Sequence, residues 1–293
     1  SKSKTMLMSM TGFGKATGTY EGKKMSVEVR SLNSKGLDLN ARVHNFYKEL
    51  EPTIRKMTGD ILERGKVDVS VNLDSTGENK SFSINKDLAV AYAKDLKEVN
   101  DAIGGTSEDL LTLIMRMPDI FINEREELGK EEKEVILALV KEASAKLNEF
   151  RRQEGIALEN EFTERINAIA NALAEVPKYE GERIETIRER MKKGLEEVTN
   201  SNYDENRFEQ ELIFYIEKLD VSEEKMRLSN HLNYFIETMK TPSAGKKLGF
   251  IAQEIGREIN TLGSKCNHAE IQRLVVDMKD NLEKIKEQVL NTL

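Results

Sequence analysis

Hydrophobic and polar residues alternate along the first 84 residues of the chain, which is the pattern of half-buried β-strands. Residues 25–30 (MSVEVR) and 67–73 (VDVSVNL) place an apolar side chain at every second position and are rich in Val. Between them, residues 46–62 carry apolar side chains at steps of three and four, which predicts a helix that ends near Gly65. The N-terminal part is therefore predicted to be a small sheet with at least one helix.

From Asn85 onward the apolar spacing becomes that of helices, with Asn85 a predicted N-cap. The predicted helices cover residues 85–103, 130–176, 179–240, 244–264 and 268–290. Pro118, Pro177 and Pro242 mark breaks between them, and Pro242 is expected in the first turn of the helix that follows it. Helices this long have more apolar positions than one small core can bury, so we expect a helical hairpin or stalk covered by further subunits.

These patterns predict an α+β protein in three parts. Residues 1–84 form a sheet domain, residues 85–176 a helical middle region, and residues 177–293 a helical C-terminal domain. No apolar run approaches the roughly 20 residues that cross a bilayer, and no signal-peptide pattern opens the chain, so we expect a cytoplasmic protein. The single cysteine, Cys266, excludes an internal disulfide and a multi-cysteine zinc site.

The net charge of -7 argues against indiscriminate binding of nucleic acid. Residues 1–80 and 240–275 nevertheless each carry more Lys and Arg than Asp and Glu, which favours local positive surfaces at both ends of the chain. The candidate contacts to a phosphate backbone are Arg30, Arg42, Arg64, Lys66, Lys246, Lys247, Arg257 and Lys265. The alternative for the positions on strands is that they are simply solvated.

The predicted helix at residues 244–264 carries two neighbouring stripes. The apolar stripe consists of Leu248, Ile251, Ile255 and Leu262, and the polar one of Glu254, Glu258, Thr261 and Lys265. Two carboxylates one turn apart repel each other, so Glu254 and Glu258 indicate a bound cation or a basic neighbour. The alternative is that Arg257 and Lys265 neutralise a solvated face.

The preceding helix repeats the arrangement, since Asp220, Glu224, Arg227 and His231 follow steps of four, three and four. A short connection at residues 241–243 should fold the two helices together, so that their polar stripes converge. Glu224, His231, Glu254 and Glu258 would then offer the mixed oxygen and nitrogen ligands that suit Mn²⁺ or Mg²⁺. His231 has an alternative as an ordinary hydrogen-bonding residue between helices.

The remaining candidates are less specific. His44 is expected on the surface, and His268 is expected to start the last helix. Nothing beyond its presence supports Cys266 as a nucleophile. The glycines of residues 9–14 do not form a phosphate-binding loop of the G-x-x-x-x-G-K-[ST] type, which argues against an NTPase.

Several motifs together resemble the YicC/YloC family from one end of the chain to the other. They are residues 9–14 (SMTGFG), 28–33 (EVRSLN), 64–67 (RGKV), 152–155 (RQEG), 206–212 (NRFEQEL), 220–224 (DVSEE) with Arg227, Leu228 and His231, and 245–265, which contains QE, RE and NTL. Gly249 and Gly256 depart from the family pattern, which has an acidic and a larger polar residue there.

The resemblance implies a homo-oligomeric, preferably hexameric endoribonuclease that uses a divalent metal, Mn²⁺ before Mg²⁺, in the turnover of RNA, including small RNA. It places the chemistry in the C-terminal domain, with His231, Glu224, Arg227 and Glu258 as catalytic residues and Glu254, Glu258, Glu224 and His231 as metal ligands. The alternatives are an oligomeric RNA-binding or adaptor protein without activity of its own, and a purely structural oligomer.

Overall fold

The computed structural model describes residues 7–74, 82–105, 109–122, 128–200 and 202–293. The strands are β1 (Gly12–Tyr20), β2 (Lys23–Leu32), β3 (Leu37–Val43), β4 (Gly65–Asp74), β5 (Ser83–Ile84) and β6 (Phe121–Ile122). The α-helices are α1 (Glu51–Leu62), α2 (Lys86–Ile103), α3 (Leu110–Ile114), α4 (Lys130–Glu175), α5 (Pro177–Thr199), α6 (Glu205–Lys218), α7 (Ser222–Thr238), α8 (Gly245–Lys265) and α9 (Ala269–Val289). A 3-10 helix, Asn45–Leu50, precedes α1. The predicted α+β class is confirmed.

The N-terminal sheet has the strand order β1-β2-β4-β3, with β3 parallel to β4 and the other pairs antiparallel. Its buried face packs against α1 and the first half of α4. Gly14 on β1 allows the closest approach, since a Cβ there would lie 2.0 Å from the carbonyl oxygen of Ala143 on α4. The glycines of the SMTGFG motif therefore serve strand-to-helix packing.

Helix α4 links the two hydrophobic cores of the molecule. Its first half contributes Ile136, Val140 and Leu147 to the core beneath the sheet. Its second half contributes Phe162 and Ile169 to a core shared with α7, α8 and α9. The three-part division of the chain stays a prediction, because one helix belongs to both cores. No helix in the described ranges combines the length and apolarity needed to span a membrane.

The predicted continuous helix over residues 179–240 is wrong, because the segment forms α5, α6 and α7. Asn200 ends α5 in the left-handed conformation (φ 51°), and Asp204 caps α6 by accepting the Asn206 N–H. Asp220 accepts the Ser222 N–H and hydroxyl just before α7. Short polar side chains compete for backbone hydrogen bonds and so end helices without Gly or Pro.

The predicted position of Pro242 is also wrong, because this residue lies in the turn before α8 and not in the first turn of that helix.

Residues 8–10 lie beside the C-terminal residues 291–293, against the start of α8. The Met10 N–H donates to the Asn291 carbonyl (2.7 Å), and the Leu293 N–H donates to the Met8 carbonyl (2.8 Å). The Gly245 N–H at the start of α8 donates to the Leu293 carbonyl (3.2 Å). These bonds hold the sheet and the C-terminal helices in a fixed relation.

Candidate functional site

Helices α7 and α8 pack against each other with their polar stripes in contact. The apolar stripe of α8 is buried as predicted. Beside it, the Lys265 ammonium lies 2.7 Å from Oε1 of Glu224, and Nη1 of Arg227 lies 3.9 Å from Oε1 of Glu258. Glu224, Arg227, Glu258 and Lys265 are called the carboxylate cluster below. The predicted convergence of the two stripes is therefore confirmed for these four residues.

Both carboxylates of the cluster are buried, with side-chain exposures of 8% for Glu224 and 6% for Glu258. Oε2 of Glu224 is buried and has no hydrogen-bond partner among the described residues. Burial alone raises the pKa of Glu224, but the hydrogen bond and charge of Lys265, with the charge of Arg227, lower this pKa overall. Glu224 is therefore an ionised carboxylate with one oxygen still free to accept a hydrogen bond or a cation.

The other members of the two predicted polar stripes lie apart from the cluster. Asp220 lies two residues before the start of α7, where it accepts hydrogen bonds from Ser222, so its predicted place on that helix is wrong. The hydrogen bond from the Ser222 hydroxyl lowers its pKa. Glu254 is half exposed and pairs with Arg257 at 3.7 Å. His231 is half-buried on α7 and forms no hydrogen bond or ion pair with any residue of the described ranges.

The predicted metal ligands do not form a metal site within one chain. In the parts of the chain that the structure covers, no three His, Cys, Asp or Glu side chains converge on one point. Lys265 and Arg227 instead place positive charge beside the buried carboxylates, at positions where a divalent ion would need oxygen ligands. Metal dependence thus stays a prediction, and no step of the chemistry below depends on it.

Gly249 and Gly256, the two departures from the family pattern, lie on the same side of α8, the one that faces α9. Gly249 precedes Glu258 by nine residues, which is about 13.5 Å along the axis and about 180° around it. An acidic side chain at this position would therefore point away from the carboxylate cluster. Gly256 faces α9, where a Cβ would lie 3.1 Å from Cδ2 of Leu282, so it supports the packing of the two helices.

Two of the predicted RNA contacts, Arg64 and Lys246, line the same cavity of about 450 Å³. We call it the basic cleft. It lies between the loops at the end of the sheet and the start of α8. Its lining residues are Met10, Asn33, Ser34, Lys35, Arg64, Gly245, Lys246, Gly249, Phe250, Gln253, Val289, Leu290 and Thr292.

The predicted contacts on the sheet are exposed but do not line this cleft. Arg30 lies over the ring of Phe13, with 5.4 Å between its guanidinium carbon and the ring centroid. Arg42 on β3 and Lys66 on β4 are exposed at strand positions. Their role in RNA binding stays a prediction.

The remaining predicted contacts on α8 are engaged within the chain. Nζ of Lys247 lies 4.9 Å from the centroid of the Tyr234 ring on α7. Arg257 and Lys265 are paired with Glu254 and Glu224. For these three residues, a contact with RNA would compete with an existing contact.

Arg151 is a buried residue that the sequence analysis did not single out, although it holds three segments together by hydrogen bonds. It is 1% exposed, and its guanidinium donates to the Leu62 carbonyl (2.8 Å), the Ser31 hydroxyl (2.6 Å) and the Arg64 carbonyl (2.7 Å). Burial lowers its pKa to about 10. The signal was available, because Arg151 occupies the apolar stripe of α4 between Leu147 and Leu158.

The predicted roles of the minor candidates agree with the structure. His268 is the N-cap of α9 and accepts the Glu270 N–H at 3.2 Å. His44 is exposed and accepts the Phe46 N–H. Cys266 is buried, and burial raises the pKa of its thiol, which does not favour a nucleophile.

Comparison with known proteins places the whole chain beside one group. Residues 7–160 match the family described as endoribonuclease YicC-like, N-terminal region, and residues 176–292 match endoribonuclease YicC-like, C-terminal. The chain is 33% identical over 291 residues to a protein of Clostridioides difficile (strain 630) named probable endoribonuclease YicC, covering 98% of this chain and 99% of that protein. It is 30% identical, over the same shares, to a protein of the same name from Haemophilus influenzae (strain KW20).

Proposed function

Because the chain belongs to the family of YicC-like endoribonucleases, we propose that it cleaves phosphodiester bonds within RNA at the carboxylate cluster of α7 and α8. The observation that carries this proposal is the buried, unpartnered Oε2 of Glu224 on α7, with a second buried carboxylate, Glu258, on the facing helix α8. An unsatisfied buried polar atom costs about 1–3 kcal/mol. A buried polar atom without a partner calls for a physical account, and a bound substrate group would supply one for Oε2 of Glu224.

The cluster offers the groups that phosphodiester cleavage needs. Arg227 is half exposed at the edge of the cluster, and its guanidinium can approach a phosphate and neutralise the charge that develops there. Glu223, which forms a close ion pair with Arg227 on the same helix, would orient Arg227 together with the more distant Glu258. Glu224 would orient Lys265. His231, on the same helix as Arg227, is the candidate to accept or donate the proton.

The finer features of the function are also proposals. We propose that Mn²⁺, or Mg²⁺ in its place, supports the reaction, that six chains assemble, and that the RNA substrates include small RNAs. The support for these proposals is the family resemblance. Cleavage assays with Mn²⁺, with Mg²⁺ and with EDTA test the first of them, and activity that persists in EDTA would remove the metal but not the nuclease.

The central experiment replaces Glu254 and Glu258 together by Gln. We expect Glu254→Gln/Glu258→Gln to abolish cleavage of a single-stranded or hairpin RNA while leaving helical content, oligomer size and most RNA binding intact. The control for the loss of two acids on one helix is Glu270→Gln/Glu283→Gln, whose exposed carboxylates on α9 each pair with a base three residues away, as that of Glu254 does. Wild-type cleavage by the first variant would exclude these two carboxylates.

His231→Ala is the companion variant. A positioned acid or base contributes about 100- to 10,000-fold to a rate, so we expect a loss of that order with unchanged RNA binding. A His231→Ala protein that cleaves within about twofold of wild type would instead fit a histidine that only fills the surface of α7.

One observation favours a second candidate function, an RNA-binding or adaptor protein without cleavage activity. Both buried carboxylates of the cluster face a cation of the same chain, as a purely structural ion-pair network would. In that case the Gln variants would lower the melting temperature, and purified wild-type protein would bind RNA without cutting it under any metal condition.

A further inference from the structure

The basic cleft concentrates positive charge in an acidic protein. Three cationic side chains line it, Lys35, Arg64 and Lys246, and none of its lining residues is Asp or Glu. Within the described ranges, none of the three forms an ion pair with a carboxylate, and Nε of Arg64 donates only to the Ser34 carbonyl (3.3 Å). With no carboxylate beside them in the cleft, these three side chains are open to an anion from outside.

The start of α8 adds to the same positive field. Gly245, Lys246 and Lys247 form its first turn, which has no acidic residue, and the N-cap Ala244 offers no side-chain acceptor. Lysines at the positive end of a helix dipole are unfavourable for the isolated helix. This local cost is consistent with a first turn whose charge serves a bound anion.

Another part of the cleft lining, about one helical turn from Lys246 on α8, is suited to a flat apolar group. Phe250 is 60% exposed although it is a large aromatic residue, and it lines the cleft with Val289 and Leu290. Gln253 and Asn33 lie among them as hydrogen-bonding groups without charge. The volume of about 450 Å³ lies in the ordinary range for a small-molecule site, roughly 300–1,000 Å³.

We infer that the basic cleft binds one nucleotide unit of single-stranded RNA, with its phosphates near Lys35, Arg64 and Lys246 and its base stacked on Phe250. This inference rests on the proposed cleavage of RNA. Proteins that bind single strands combine a positive groove with exposed aromatic rings, because an unpaired base presents its face for stacking. A paired base within a duplex would not reach Phe250.

The position of the cleft on α8 fits a substrate-anchoring role. Gln253 in the cleft and Glu258 in the carboxylate cluster are five residues apart on this helix, about 7.5 Å along its axis and about 140° around it. The cleft and the cluster therefore lie on different faces of α8, and a strand anchored in the cleft must pass around this helix to reach the cluster. We accordingly assign the cleft to binding and positioning, and not to the bond-breaking step.

The test measures binding of a fluorescent single-stranded RNA 12-mer by anisotropy in EDTA, with the RNA checked for integrity on a gel. Lys35→Met/Lys246→Met should weaken binding and lower the slope of log Kd against log salt by about 1.4, since each phosphate contact on a single strand contributes about 0.7. If the wild-type and variant curves meet at 1 M salt, this difference in slope corresponds to about 25-fold weaker binding by the variant at 0.1 M salt. Lys279→Met is the matched control, because Lys279 is exposed on α9 and does not line the cleft.

Phe250 is tested separately. Phe250→Ala should weaken binding of the single strand by about fivefold to 100-fold, the range for one lost stacking contact, and leave binding of a duplex unchanged. Phe250→Tyr keeps the ring face and should bind as wild type does. Melting temperature and oligomer size are measured for every variant, so that a folding defect is recognised.

The outcomes separate the cleft from the proposed function. If the wild type neither binds nor cleaves RNA, the proposed function fails. If the wild type cleaves RNA and the cleft variants bind it with wild-type affinity and salt slope, the cleft is not the binding site although the function stands. A loss in Lys279→Met equal to that in the double variant would overturn the assignment as well.

Discussion

The ion pair of Glu224 and Lys265 allows stability and catalysis to be separated at the carboxylate cluster. The perturbation is a double-mutant cycle of Glu224→Met, Lys265→Met and the double variant. Met approximates the length of both side chains and fits an apolar interface between helices. The two residues belong to different helices, so the cycle reports on a tertiary contact.

The expected magnitude follows from the burial of the pair. Breaking a fully buried ion pair costs about 3–5 kcal/mol, whereas an exposed pair is worth about 0–1 kcal/mol. Glu224 is 8% exposed and Lys265 31%, so the pair lies between these limits. We expect each single variant to lower the free energy of unfolding by about 1–3 kcal/mol, because it leaves one partner without its counter-charge. The double variant should recover most of that loss, because no uncompensated charge remains.

The assay follows urea unfolding and RNA cleavage on the same preparations. If the cluster is catalytic, the double variant regains stability but not activity. Recovery of both would refute a catalytic role for Glu224 and Lys265. A second check uses pH, because the pKa of Glu224 is lowered in the folded protein. The pair's contribution is fully present above the unfolded pKa, about 4.3, and is lost as the pH falls through the folded pKa, so the stability gap between wild type and Glu224→Met should narrow in that acid range.

Three further predictions concern the fold and the assembly. Arg151→Met should lower the free energy of unfolding by about 3–5 kcal/mol, since it leaves buried acceptors without a donor, and a change below 1 kcal/mol in urea unfolding would contradict this role. Gly155→Ala should destabilise the protein strongly, because a Cβ there would lie 1.8 Å from the Leu7 carbonyl oxygen. Gly249→Ala should instead raise the melting temperature slightly. Its Cβ would make an ordinary 3.6 Å contact with Val289, and Ala is more favourable than Gly in a helix by about 1 kcal/mol. Light scattering at micromolar concentration should return a mass much larger than a dimer, with a hexamer preferred, and the mass of one chain would refute the predicted assembly.

Periodicity predicted the regular parts of the fold because each element satisfies its own pattern. The strands around residues 25–30 and 67–73 and the helix α4 follow from alternation and from uninterrupted helical spacing. The breaks at Asn200 and at Asp220 did not follow, because these residues are compatible with a helix until their side chains take a backbone hydrogen bond. Local patterns specify what an element is more reliably than where a polar residue ends it.

The candidate site was predictable only as far as one helix determines it. The spacing of Glu254 and Glu258, and that of Glu224 and Arg227, follows from helix geometry alone. That Lys265 pairs with Glu224, while His231 has no partner in the described ranges, depends on how α7 is placed against α8. For the same reason, helical spacing suggested a full set of metal ligands, whereas Glu254 and His231 lie apart from Glu224 and Glu258 among the described residues.

The basic cleft is the part of the site that lies furthest beyond local pattern, because it depends on the two ends of the chain meeting. Arg64 and Lys246 are far apart in sequence but line one cavity. The Met10 N–H donates to the Asn291 carbonyl, and the Met8 carbonyl accepts the Leu293 N–H. The Leu293 carbonyl in turn accepts the Gly245 N–H, which joins the N-terminal segment to the start of α8. Gly245 is required at that junction, since a Cβ would lie 2.2 Å from the Thr292 carbonyl oxygen. The N-terminal and C-terminal segments therefore act together. Gly245 permits the close backbone contact, and the neighbouring Arg64 and Lys246 are placed to bind the phosphates of the strand.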